Sequence, residues 1–204
     1  MKFDIKIEGV NEALKMFSAD AVRRAVKTTL NEAGDKAKGE AIKQITEEYN
    51  VPPSTVREFL KVKKASYGET CEYTITARGR GIPLIKFGAR QVGVKIKQAL
   101  GRYTKRAKRF GNFQRGGQVT VMVKKAGGRK VVPWEPKPFI AVGPKVGPQV
   151  FARQGRERRK LRRLLGPGLA LLFGSKKVLE HAKKVALDTW AKRFAHNLDF
   201  FSKK

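Results

Sequence analysis

The residues that could catalyse a reaction or bind a metal ion are few and scattered. The two histidines, His181 and His196, lie fifteen residues apart and have no neighbouring Cys or paired carboxylates to complete a metal shell. Cys71 is the single cysteine, which excludes an intrachain disulfide and a thiolate-rich zinc site. Both histidines are expected to be ordinary helix residues, and no metal or cofactor is predicted.

A catalytic centre is equally hard to assemble from this sequence. A nucleophilic Ser or Cys needs a base and an orienting acid. Residues 78–164 contain no histidine and only two acidic residues, Glu135 and Glu157. Glu47 and Glu48 are neighbours in the chain, and adjacent positions of a helix do not face each other. The sequence therefore predicts a protein that is not an enzyme.

The residues with the clearest chemical character are basic, and they form two clusters. The first mixes cations with Tyr103, Phe110 and Phe113, a combination that neutralises phosphates and places aromatic rings near a nucleic acid. No recognised DNA-binding motif frames either cluster, so any nucleic-acid contact is expected to be independent of base sequence. The alternatives are a solvated loop and a basic arm that docks on an acidic protein. The candidate contacts to DNA or another anionic partner are Arg102, Lys105, Arg106, Lys108, Arg109, Arg115, Arg156, Arg158, Arg159, Arg162 and Arg163.

The net charge is concentrated in the middle of the chain. The 204 residues include 46 Lys+Arg and 17 Asp+Glu, a formal net charge of +29. Residues 1–77 hold 13 basic and 12 acidic residues, 78–164 hold 25 and 2, and 165–204 hold 8 and 3. The middle block thus carries most of the excess and would repel itself without a counter-charge. This distribution predicts a polyanion or an acidic protein surface as the partner.

The hydropathy pattern excludes a membrane span and a secretion signal. The most apolar stretch, residues 164–173, is far shorter than a bilayer requires and contains Gly166, Pro167 and Gly168. The first residues alternate polar and apolar side chains and include Asp4 and Glu8, unlike a signal peptide. Synthesis in the cytoplasm is expected.

The first third of the chain predicts a strand followed by helices. Residues 2–8 alternate with a period of two, as a half-buried strand does. A short helix is expected through Phe17, and a cap at Ser18 or Asp20 opens a long helix that reaches about Tyr49. A further short helix is expected after Ser54. The narrow apolar stripe of the long helix comprises Val22, Val26, Leu30, Ala33, Ala37, Ala41 and Ile45.

The rest of the chain predicts an antiparallel sheet and a final helix. Alternating segments at 71–77, 119–123 and 139–142 are typical of strands, with a hairpin turn at Gly127 and Gly128. Residues 101–117 have no apolar period and are expected to form a long loop. After Pro167 an amphipathic helix is expected to pack across the sheet. The predicted fold is a single α+β domain over residues 1–204, with a basic, loop-rich middle at 78–164.

Several short motifs together suggest a family. Ala77-Arg78 and the run from Gly81 to Arg90 (GIPLIKFGAR) resemble the segment after the first strands of the prophage minor tail protein Z family. Further similarities to that family are an alanine-rich helix near the N-terminus, the turn at 51–57 and the aromatic segments 138–141 and 150–153. The opening residues 5–14 and the late Leu165-Gly166-Pro167 resemble related phage tail-completion proteins. The sequence departs from those relatives in one place. Before the Gly-Pro, the relatives have an apolar step that contains a proline, whereas this chain has the charged run at 160–163.

The resemblance implies a structural virion protein that completes the head-proximal end of a long phage tail for head-tail joining. Expected partners are the tail terminator and other tail or neck proteins, in a homo-oligomeric ring that is a hexamer if the tail is six-fold. The basic loops then face DNA or an acidic tail component. The alternative is a non-phage, ribosome- or nucleoid-associated protein that binds nucleic acid independently of sequence.

Overall fold

A computed structural model describes residues 10–66, 71–77, 79–92, 117–143, 147–155 and 160–203. The fold combines helices with small antiparallel sheets, which confirms the predicted α+β class. The helices are α1 (Val10–Met16), α2 (Ala19–Glu48), α3 (Pro53–Phe59), α4 (Leu169–Phe173) and α5 (Lys176–Ser202). The predicted strand at 2–8 lies outside the described residues, and so does the predicted loop at 101–117 except for Gly117.

Within the described residues the strands are short and pair into four antiparallel sheets. They are β1 (Leu60–Lys63), β2 (Thr74–Ala77), β3 (Gly81–Pro83), β4 (Arg90–Val92), β5 (Gln118–Val121), β6 (Lys130–Val131), β7 (Phe139–Gly143), β8 (Gly147–Arg153), β9 (Leu161–Arg163) and β10 (Leu165–Gly168). The sheets are β1-β2, β10-β3, β4-β5-β6 and β7-β8-β9. The hairpin predicted at Gly127-Gly128 joins β5 to β6, and Gly128 adopts the positive φ (62°) that glycine tolerates best.

The chain folds into two compact units. Unit 1 comprises residues 1–45, 56–80 and 168–204, and unit 2 comprises residues 46–55 and 81–167. The prediction of a single domain stays a prediction. No described helix is both long enough and apolar enough to cross a bilayer.

In unit 1 the two long helices run antiparallel. Three contacts join α2 to α5: Glu40 with His181 (3.8 Å), Glu32 with Arg193 (3.6 Å), and Thr29, which accepts a hydrogen bond from Asn197 (3.0 Å). Residue numbers therefore rise along one helix as they fall along the other. The predicted alanine stripe of α2 is buried at Ala33, Ala37 and Ala41, and small side chains permit close packing. The apolar cluster that joins α2 to α1 and α5 comprises Ala13, Val22, Ala25 and Leu198, with Val10, Phe17, Val26, Phe194 and Phe201 packed against it.

The predicted C-terminal helix is present as α5 (Lys176–Ser202). The contacts described for α5 include those to α1 and α2 through this apolar cluster and those to α4. Ser18 caps α2 as predicted, with its Oγ 3.3 Å from the backbone nitrogen of Ala21.

In unit 2 the family-like motifs fold against one another. The run from Gly81 to Arg90 forms β3, a 3-10 helix at Leu84–Phe87 and β4, and the late Leu165-Gly166-Pro167 forms the strand β10 that pairs with β3. A methyl group on Gly166 would collide with the Phe87 ring, which is fully buried. The side chain of Asn50 donates a hydrogen bond to the carbonyl of Phe87 (3.0 Å). These motifs therefore build the core of unit 2.

Candidate functional site

Of the eleven predicted contacts to an anionic partner, the structure describes two. Arg162 and Arg163 lie on β9, and all three side chains of that strand are exposed. The other nine lie outside the described residues: Arg102, Lys105, Arg106, Lys108, Arg109, Arg115, Arg156, Arg158 and Arg159.

Strand β9 is an outer strand of the three-stranded sheet β7-β8-β9. It pairs antiparallel with β8, so that Arg162 lies opposite Ala152 and Arg163 lies opposite Phe151. Because side chains alternate along a strand, the two arginines project from opposite faces of the sheet. Val150 and Ala152 are fully buried, which anchors β8 and gives β9 a rigid support.

Aromatic rings accompany the arginines of this sheet. The Arg162 guanidinium lies 5.5 Å from the centre of the Trp134 ring, and the Arg153 guanidinium lies 6.0 Å from the centre of the Phe139 ring. Phe139 and Phe151 face each other across β7 and β8, with ring centres 6.3 Å apart. Both cation-π contacts fall within the range in which a ring attracts a cation and limits its motion.

Trp134 and Arg153 are absent from the predicted contacts. Arg153 follows Phe151 by two residues, and this spacing places both side chains on one face of a strand. That signal was available in the sequence once 147–153 is taken as a strand. Trp134 carries no such signal, because its contact with Arg162 depends on the folding of unit 2.

The electrostatics around β9 are strongly positive. Among the described residues of unit 2, the acidic side chains are Glu47, Glu48 and Glu135, and all others with a charge are Lys or Arg. Glu48 is engaged by Lys124 (3.3 Å), a contact that raises the pKa of Lys124. The described part of unit 2 therefore presents a cationic surface to any partner.

A second polar cluster, in unit 1, is structural. Asp35 of α2 accepts hydrogen bonds from Lys64 (2.8 Å), Tyr73 (2.6 Å) and Lys38 (3.0 Å). The hydrogen bonds from Lys64 and Tyr73 hold the pKa of Asp35 well below its usual range. Burial, together with the Asp35 carboxylate, raises the pKa of Tyr73, so this phenol stays a donor. The cluster ties the β1-β2 pair to α2.

No metal centre is evident in the described segments. Among the residues that they contain, no group of three or more His, Cys, Asp and Glu side chains could hold a metal ion. Cys71 is exposed. His181 contacts Glu40, and His196 lies on the exposed side of α5.

Comparison with known proteins gives one match. The family model for prophage minor tail protein Z matches residues 7–172 of the chain. No curated protein and no solved structure matches it significantly. The match spans the motifs of β3, β4, β7, β8 and β10 and the basic segments between them. The chain belongs to the prophage minor tail protein Z family, which gives it a structural role in a phage tail, a place in the virion and contact with other tail proteins.

Proposed function

We propose that this protein completes the head-proximal end of a long phage tail and makes that end competent to join the head. The observation that carries the proposal is the family match over residues 7–172. A finished tail must present a surface that recognises the head, and a small protein added at the end supplies one. The tail terminator is the proposed neighbour on the tail side.

The cationic surface of unit 2 supports contact with an anionic partner at this junction. The end of the packaged genome and the acidic surfaces of neck or tail proteins both offer negative charge there. The contact of the Arg162 guanidinium with the Trp134 ring restricts this side chain, which lowers the entropy lost on binding. Contact with DNA through such a surface would engage phosphates and read no base sequence.

A closed ring is the proposed assembly. Several copies around the tail axis, six in a six-fold tail, would repeat the charge of residues 78–164 around a common lumen. The summed field attracts a polyanion more strongly than one copy does.

The test is genetic, with matched variants. A phage that lacks the gene is expected to accumulate heads and tails that do not join. Complementation by Arg162→Glu/Arg163→Glu is expected to fail, whereas Lys176→Glu/Lys177→Glu, the same charge change at exposed residues of unit 1, is expected to restore plating. Normal infectivity of the deletion phage would overturn the proposal.

A further inference from the structure

We infer that the outer edge of β9 is a docking site for an extended, acidic segment of a partner protein, which adds to the sheet β7-β8-β9 as a fourth strand. The inference rests on the proposed function for its setting in an assembly. It goes further in naming the binding mode and the chemistry of the partner, and it can fail independently.

Within the described part of the chain, the outer edge of β9 has no paired strand. The amide of Leu164 donates to the carbonyl of Val150 and the amide of Gln154 donates to the carbonyl of Lys160, both at 2.9 Å, and these bonds flank the β8-β9 ladder. In an antiparallel ladder, hydrogen-bonded pairs alternate with pairs that are not hydrogen-bonded. Ala152 and Arg162, which lie midway between those two bonds, therefore form a hydrogen-bonded pair. Leu161 and Arg163 consequently point their N–H and C=O groups away from β8, and no other described strand pairs with β9.

The side chains define what the edge accepts. Directly opposed residues of two strands lie on the same face and interact, and like charges in such positions repel. A second copy of β9 would bring arginines close to arginines, so the edge disfavours self-pairing. An incoming strand with acidic side chains opposite Arg162 and Arg163 and an apolar one opposite Leu161, which is 42% exposed, complements all three positions.

A peptide fits this edge better than a nucleic acid does. Phosphates accept hydrogen bonds from the arginines and from the outward amides, but they donate none to the outward carbonyls of Leu161 and Arg163. An extended peptide supplies both donors and acceptors in the spacing of a strand.

The experiment uses the full-length protein and a synthetic peptide of repeated Glu-Glu-Val, with binding measured by fluorescence anisotropy. Leu161→Pro removes one outward N–H and leaves every charge in place, and proline is tolerated where a strand amide faces outward. This variant is expected to bind the peptide roughly tenfold more weakly, the equivalent of one backbone hydrogen bond. Leu161→Ala, which keeps the amide, is the matched control and is expected to stay within about threefold of the wild type.

A second measurement does not depend on how the variant folds. The same peptide with alternate amides N-methylated is expected to bind the wild-type protein at least tenfold more weakly than the parent peptide does. Strand addition would be overturned if Leu161→Pro and the wild type bound the peptide equally well, or if the wild type bound both peptides equally well. Attraction between charges would then explain the binding. Binding of a mixed-sequence DNA duplex without binding of the peptide would overturn the inference too. Neither result bears on whether the deletion phage joins heads to tails, so the two proposals fail separately.

Discussion

At the scale of single residues, the residues with special roles are a glycine, an aspartate and the arginines of β9. Gly34 lies in α2 beneath the Tyr73 ring, and a methyl group at that position would overlap the ring. The same tyrosine donates to Asp35, so a small residue and a carboxylate in successive positions hold the β1-β2 pair. The sequence contains both residues, but their use depends on where Tyr73 packs.

Gly34 offers a prediction with an internal control. Gly34→Ala is expected to lower the free energy of unfolding by about 1–3 kcal/mol, because the methyl group overpacks against Tyr73. Gly39→Ala, in the same helix with open space around it, is expected to raise that free energy by about 0.5–1 kcal/mol through helix propensity. Urea denaturation of both variants measures the difference, and a stabilised Gly34→Ala would contradict this packing.

Asp35 gives a prediction about pH. Its pKa is lower in the folded chain than in the unfolded chain, so its stabilisation is complete above the unfolded value, about 4, and is lost as the pH falls toward the folded value. Asp35→Asn is therefore expected to lower the free energy of unfolding by about 1 kcal/mol at pH 7, and by less at pH about 2.5. The figure at pH 7 takes into account that the Asp35 side chain is partly exposed. The control is Asp20→Asn, whose pair with Arg24 is exposed and is expected to contribute under about 0.5 kcal/mol. Thermal unfolding across pH measures both variants, and a loss for Asp35→Asn that does not change with pH would contradict the assignment.

At the scale of elements, the helices were more predictable than the sheets. The apolar stripe of α2, the cap at Ser18 and the long final helix follow from side-chain periodicity over many turns. Strands of two to seven residues carry too few alternations to be recognised alone, and β3, β4, β9 and β10 have no clear period of two. The cluster that joins the final helix to α1 and α2 brings together apolar residues far apart in the chain, a property that local pattern does not contain.

The candidate site follows the same division. The charge of Arg162 and Arg163 was visible in the sequence, because composition needs no fold. Their position on an outer strand, the ring of Trp134 beside Arg162 and the outward amides of β9 depend on pairing with β8, which is distant from Trp134 in the sequence. The sequence therefore indicated the kind of partner, and the fold indicates how that partner can be held.

The α2-α5 interface gives a prediction at this scale. The side chain of Asn197 donates to the hydroxyl of Thr29 (3.0 Å), and both residues are buried. Asn197→Ala is expected to lower the free energy of unfolding by about 1–3 kcal/mol, because the buried hydroxyl of Thr29 loses its hydrogen-bond partner. In a double-mutant cycle with Thr29→Val the two losses are expected not to add, since they remove one interaction. Calorimetric unfolding measures the coupling, and simple additivity would show that the bond contributes nothing.

At the scale of the whole molecule, the charge is a local feature on an ordinary α+β frame. The nearly neutral residues 1–77 supply all of α2 and the strands β1 and β2, whereas residues 78–164 supply the cations of unit 2. This division suits an assembly protein in which one part packs on its neighbours and another meets an anionic partner.

Salt dependence tests the nature of that partner. If phosphates dominate, binding of the wild-type protein to a DNA duplex is expected to weaken steeply as salt rises, and charge reversal at Arg106, Arg109, Arg159 and Arg163 is expected to flatten the slope. A set of reversals that leaves the DNA slope unchanged but abolishes binding to tails would assign these residues to protein contacts. Filter binding and sedimentation with purified tails provide the two measurements.

The proposed place of this chain at the head-proximal end of the tail can be observed by labelling. Intact virions carrying a small epitope tag on this protein are decorated with gold-conjugated antibody and imaged by electron microscopy. Gold is expected at the junction of head and tail, and on tails without heads at the end opposite the tip. Gold along the tail tube or at the distal tip would contradict the proposed location.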